Sequence, residues 1–151
     1  MTPSFAEEIS HWSYEGEYAI YSFDASPEAL DELLCGEYVA CLDETERLVG
    51  YFCFGKSARI PTVEAEPYEE GWLDIGLGLR PDLCGQGRGQ DFLLAGIAYA
   101  TEAFSCPSLR LTVAAFNQRA IRLYRSCGFR FLRTITHKHS KAPFHLMLIE
   151  R

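Results

Sequence analysis

Three stretches of this chain carry residues whose types and spacing can do chemistry. Cys84-Gly85-Gln86-Gly87-Arg88-Gly89-Gln90 is rich in glycine. Glycines so spaced let backbone N–H groups turn together toward an anion, and a following helix N-terminus adds about half a positive charge. Asn117-Gln-Arg-Ala120-Ile-Arg-Leu-Tyr124 sets an amide and a phenol seven residues apart. Two helical turns bring them to nearly the same face, with Ala120 leaving room between them. Upstream, Leu73-Asp74-Ile75-Gly76-Leu77-Gly78-Leu79 alternates large apolar residues with an acid and two glycines. Asp74 on the glycine-bearing face is a candidate general base, with Glu69 and Glu70 as alternatives. For all three, solvated surface charge is the competing reading.

The glycine turn fits some anion loops and excludes others. A Walker loop needs Gly-Lys-Ser/Thr, which Gly89-Gln90-Asp91 does not supply. A dinucleotide fingerprint needs a glycine three positions after Gly87, where Gln90 stands. A coenzyme A pyrophosphate loop, written Q/R-x-x-G-x-G/A, remains, beside a turn that needs its glycines only for backbone geometry. Glycines inside a strand cost packing, so Gly76 and Gly78 point to close approach or a bulge. A slender ligand arm along that face accounts for both; close helix packing accounts for the bare face alone.

The elements that must hold these residues follow from hydrophobic period and punctuation. Thr2-Pro3 opens a short amphipathic helix with Phe5, Ile9 and Trp12 on one side and Glu7 and Glu8 on the other. Residues 18–23 read as a short strand or extended segment. Ser26-Pro27 opens a second helix that Gly36 ends. Strands are expected at 38–42 and 48–54, joined by a polar turn, and at 72–79 after a long loop over 56–70. A helix runs from the glycine turn to about Phe104, followed by a strand at 109–113. A helix over 117–126, with Asn117 as a cap candidate, leads to strands at 129–135 and 144–149. The order is that of a mixed α/β or α+β fold, and residues 1–151 read as one domain.

At this point the chain resembles the GNAT superfamily of acyl-CoA-dependent N-acetyltransferases. Leu77-Gly-Leu79-Arg-Pro-Asp-Leu-Cys-Gly-Gln-Gly-Arg-Gly89 and Asn117-x-x-Ala120-x-x-x-Tyr124-x-x-x-Gly128-Phe129 carry the resemblance, in the right order and separated by a helix and a strand. It is clear over residues 37–135. It implies a curved mixed sheet whose two middle strands splay to admit coenzyme A, with flanking helices. It further implies acetyl-CoA as cosubstrate, with Leu77, Gly78 and Leu79 bonding the pantetheine arm through their backbone. Gly85, Gln86, Gly87, Arg88, Gly89 and Gln90 then hold the pyrophosphate, and Asn117 and Ala120 line the pantetheine. Tyr124 lies near the thioester sulfur as the acid for the departing thiolate. The implied reaction is direct transfer of acetyl to a primary amine, either a protein N-terminus or a small molecule; the small molecule is favoured because no added recognition domain is read in the sequence. A non-enzymatic acyl-CoA sensor is the alternative, and a nucleotide-binding module a more distant one. Two departures stand out: Cys84 replaces the usual Gln or Arg, and the family's first strand is missing, very short or replaced by residues 18–23.

Composition limits the partners. Fourteen Lys and Arg against twenty-one Asp and Glu give −7 and a pI near 5.1. That argues against a broad nucleic-acid footprint and favours a cationic guest. Glu64, Glu66, Glu69, Glu70 and Asp74 are candidates to attract one, although a charge run is more often a solvated face. Trp12, Tyr14, Tyr18 and Tyr21 fall where the family places its acceptor wall, or contribute to the core. The six cysteines show no C-x-x-C pair and read as reduced structural thiols. His137, His139 and His145 lack an adjoining carboxylate or thiol, so a polar hairpin tip is expected rather than a metal site. No apolar run reaches the roughly 20 residues that span a bilayer, and the N-terminus lacks signal-peptide features, so a cytoplasmic chain without membrane contact is expected. The sheet ends are compatible with a homodimer without requiring one.

Overall fold

The computed structural model describes residues 1–105 and 108–150. Six strands take the order β1-β2-β3-β4-β6-β5: β1 Tyr38–Leu42, β2 Leu48–Phe54, β3 Leu73–Leu79, β4 Leu109–Ala114, β5 Arg130–Thr136 and β6 Pro143–Ile149. The helices are α1 Pro3–Ser10, α2 Pro27–Leu33, α3 Gly89–Phe104 and α4 Gln118–Ser126. β3 runs parallel to β4, while β1–β2, β4–β6 and β5–β6 are antiparallel, which makes the sheet mixed. The chain groups into two compact units, Met1–Cys53 with Leu77–Gly89, and Phe54–Gly76 with the chain from Gln90 onward. β3 is divided between them, residues 73–76 in the second unit and 77–79 in the first.

In the first unit the helix starts follow their caps. Thr2 Oγ1 accepts from Phe5 N and Ser26 Oγ from Ala29 N, each with proline at the first helical position. α1 buries Ala6 and Ile9 while Glu7 and Glu8 stay exposed, as its spacing requires. Residues 18–23 are not a strand. Gly16–Tyr21 form a 3₁₀ helix, with Tyr18 N donating to Glu15 O and Ser22 N to Ala19 O. Gly16 enters at φ 59°, which turns the chain before any extended run begins, and Ile20 is left exposed. Among the described residues no strand precedes α1.

The unit's core is aromatic. The Tyr51 ring stacks on Trp12 at 6.2 Å and meets Phe23 at 6.0 Å and Tyr38 at 5.8 Å. Burial, with nearby Cys53 and Glu32, pushes the Tyr38 phenol well above its ordinary range, and burial with Cys84 does the same to Tyr14. The unfolded chain ionises these phenols near pH 10, the folded one later. Their contribution to stability is therefore full below about pH 10 and falls as pH rises above it. Urea unfolding at pH 8 and at pH 11 measures the fall, and Tyr38→Phe is expected to flatten it.

In the second unit β4 and β6 bury almost every residue, including Leu109, Leu111, Val113, Leu146, Met147 and Leu148. α3 buries Phe92, Leu93, Gly96, Ile97 and Ala100 at helical spacing. The 56–70 loop is more ordered than its composition suggests. Val63 N donates to Thr136 O and Lys138 N to Pro61 O, which lays the loop along the end of β5. His137 Nδ1 accepts from His139 N and Ser140 N, so the histidine-rich segment is a self-bonded hairpin tip. Among the described residues, no group of three or more His, Cys, Asp or Glu could hold a metal ion. Among the described residues the cysteines form no disulfide; Cys53 is buried, whereas Cys35 is exposed just past the end of α2. Cys106 lies outside the described residues.

Candidate active site

The first unit carries the end of β3 and the glycine turn as one continuous segment. After Leu79 the chain makes a short 3₁₀ turn, Pro81–Leu83, and then enters the turn with Gly85 at φ 73° and Gly87 at φ 74°. Both values lie in the left-handed region that other residues occupy at a cost. Residues 85–88 are exposed, and a Cβ built on Gly87 meets no protein atom within 4 Å. Packing does not impose that glycine; the backbone path does, and the space beside it stays open to a guest. The turn ends at Gly89, the first residue of α3, so the helix's unpaired N–H groups follow it directly. Gln86 Nε2 donates to Asp82 O at 2.7 Å and stiffens the turn from within.

Gly78 has a different explanation. A Cβ on it would overlap the Tyr51 ring, so the space left by the missing side chain on β3 is filled by an aromatic ring of the same unit. Gly78→Ala is expected to displace the ring and cost about 1–3 kcal/mol, the range for overpacking a filled core. Chemical denaturation measures it, and in a Tyr51→Ala background the added cost of Gly78→Ala should shrink, as a double-mutant cycle reads.

In the second unit Asn117 caps α4, its Oδ1 accepting from Ala120 N at 3.1 Å. Tyr124 is buried on the same helix, its ring 6.1 Å from Phe129. Phe129 N donates to Tyr124 O, and Gly128 at φ 102° turns the chain out of α4. The two motif residues are thus held by a cap at one end and a glycine exit at the other.

The family model for the acetyltransferase (GNAT) family matches residues 5–129, which run through both units. The chain belongs to the GNAT acetyltransferase family. It is accordingly an acetyl-transferring enzyme, and the family uses acetyl-CoA as cosubstrate. No curated protein matches it. Among solved structures, a spermidine N-acetyltransferase SpeG chimera from Vibrio cholerae and hSSAT superposes with TM-score 0.69 at 17% identity, covering 98% of this chain and 89% of that one. The spermidine/spermine N-acetyltransferase SpeG from Vibrio cholerae in complex with manganese ions gives TM-score 0.66 at 18% identity, with coverages of 98% and 86%. These likenesses establish the fold.

The acetyltransferase departs from its motif at Cys84, whose thiol lies 3.7 Å from both Leu79 O and Arg80 O. The side chain bonds weakly to its own segment. Asp74 is not a surface charge. It is 1% exposed, and Arg110, equally buried, donates to it from Nε at 2.6 Å and Nη2 at 2.8 Å. Arg59 Nε adds a third bond at 2.7 Å. Both guanidiniums also lie close to the centre of the Tyr68 ring, at 5.1 and 5.0 Å.

Tyr68 continues the network, its hydroxyl accepting from Ile60 N and bonding Thr112 Oγ1 at 2.9 Å. Arg110 Nη1 donates to Glu69 O, and Arg133 Nη2 to Pro67 O. Glu64 accepts from Thr136 N, and Glu69 pairs with Arg133 at 3.8 Å. Three of the five acids read as a cation attractor are therefore engaged within their own unit.

Sequence reasoning missed Arg110 and Tyr68. Arg110 carried a signal, because a charge inside an apolar strand needs a partner on a neighbouring one. Of the acceptor-wall candidates, Trp12 packs on Tyr51, Tyr14 bonds β3, and Tyr18 and Tyr21 lie half-buried on the 3₁₀ helix. Among the described residues no helix is long and apolar enough to cross a membrane.

Proposed function

We propose that this chain moves the acetyl group of acetyl-CoA directly onto a primary amine, a small molecule rather than a protein N-terminus. The observation that carries the reading is the exposed glycine turn, with two left-handed glycines, open space beside Gly87 and a helix N-terminus directly after it. Such a turn suits a pyrophosphate, which Gly85, Gln86, Gly87, Arg88, Gly89 and Gln90 bind mainly through backbone N–H groups. Leu77, Gly78 and Leu79 bond the pantetheine arm through their backbone, and a donor among them stabilises the oxyanion. Asn117 and Ala120 serve the same arm.

Acetyl-CoA supplies the activated acyl group. The amine nitrogen, neutral on attack, forms the new N–C bond as the C–S bond breaks, Tyr124 gives its phenolic proton to the departing sulfur, and the amine's surplus proton passes to water, from which Tyr124 is reprotonated. Asp74, with three bonds from two guanidiniums, would have to surrender them to act as a base. We therefore assign it to positioning.

The acceptor class is supported by the net charge of −7, which favours a cation. The spermidine N-acetyltransferases among similar folds point the same way. Thiol release from acetyl-CoA across polyamines, simple primary amines, amino acids and N-terminal peptides tests it. Small amines are expected to drive release at least about tenfold faster than peptides; the reverse order would overturn the acceptor class.

A further inference from the structure

The Leu79–Arg80 peptide, between the strand and the glycine turn, is fixed from both sides. Tyr14 Oη donates to Leu79 O at 2.6 Å, a short bond across sixty-five positions of sequence. Arg80 N donates to Val49 O at 2.8 Å, and Arg80 Nη1 to Leu48 O at 2.8 Å. The amide side is thereby held by β2. The carbonyl side depends on a single phenol from the link after α1, supplemented by the weak Cys84 thiol. Tyr14 is itself anchored, its N–H donating to Ser22 Oγ at 2.9 Å. Burial and the neighbouring thiol keep the phenol protonated, as a donor to a carbonyl must be.

We infer that Tyr14 is a positioning residue for acetyl transfer, setting through Leu79 O the orientation of the β3 backbone that binds the pantetheine arm. The inference rests on the proposed function above, because it needs residues 77–79 to bond that arm. Tyr14 acts without touching either substrate. Its hydroxyl fixes one peptide plane, and that plane fixes where the preceding N–H and C=O groups point. Loss of the hydroxyl leaves the carbonyl to the thiol alone and lets the strand end rotate, while the glycine turn keeps its own backbone path.

Tyr14→Phe keeps the ring and removes only the donor. Two ligands separate positioning from general support: acetyl-CoA, which spans strand and turn, and adenosine 3′-phosphate 5′-diphosphate, which carries the nucleotide part with its pyrophosphate but not the pantetheine. Calorimetric titration of the variant is expected to show acetyl-CoA binding about five- to tenfold weaker, the scale of one part-buried hydrogen bond, and binding of adenosine 3′-phosphate 5′-diphosphate unchanged. kcat/KM for acetyl-CoA should fall by the same factor. Equal weakening of both ligands would make Tyr14 a general prop and overturn the inference, as would no change in either. If the wild-type protein itself fails to bind acetyl-CoA, the underlying function fails instead, and the two failures are distinguished.

Discussion

Asp74→Ala is expected to destabilise the protein by about 3–5 kcal/mol, the cost of removing one member of a buried ion pair. Arg110 is 1% exposed and loses both of its carboxylate bonds, so its charge stays buried without its counter-ion. Asp74 and Arg110 are also direct register partners between parallel β3 and β4, next to Leu73 and Leu109. The loss therefore falls on the pairing of the two strands as well. Arg59→Gln should cost far less, because that side chain is 34% exposed and can be replaced by water. Urea unfolding at pH 7 measures both variants. Asp74→Asn separates positioning from general-base catalysis. Retained turnover in the protein that stays folded excludes proton abstraction by Asp74, whereas turnover abolished in folded protein would overturn the positioning assignment.

Tyr124→Phe is expected to lower turnover about a hundredfold or more while leaving acetyl-CoA affinity nearly unchanged, since a positioned proton donor contributes about 10²–10⁴-fold. The ring is buried beside Phe129, and phenylalanine preserves that packing. The measurement is kcat against the dissociation constant for acetyl-CoA. A fall in affinity equal to the fall in kcat/KM would indicate a binding role, and full turnover would remove Tyr124 from the chemistry.

Much of the scaffold was legible because local signals agreed. Thr2-Pro3, Ser26-Pro27 and Asn117 each placed a cap where a helix starts, and alternation with turn residues placed the strands. Residues 18–23 misled because aromatic and β-branched residues outweigh the one glycine that matters, Gly16, whose left-handed turn precedes them. The two-faced burial of β3 at Asp74 and Ile75 was hidden for a related reason. Period-two reading assigns one face to solvent, whereas a parallel strand is covered on both.

At the site, the glycine turn and the Asn117 and Tyr124 pair were readable because each depends on local spacing. Gly78 was visible as an anomaly, but the Tyr51 ring that fills its missing side chain was not, since nothing in the strand names Tyr51. Tyr14, Tyr68 and Arg110 act through partners tens of residues away. Only Arg110, a charge within an apolar strand, announced that it had one.

The most direct test of acetyl transfer by this chain is an initial-rate matrix of thiol release, with acetyl-CoA and the best small amine both varied. Direct transfer within a ternary complex predicts release that depends on the amine and double-reciprocal lines that intersect. Parallel lines with an isolable acetyl-enzyme would contradict direct transfer. Acetyl-CoA binding without amine-dependent release would contradict the amine acceptor itself.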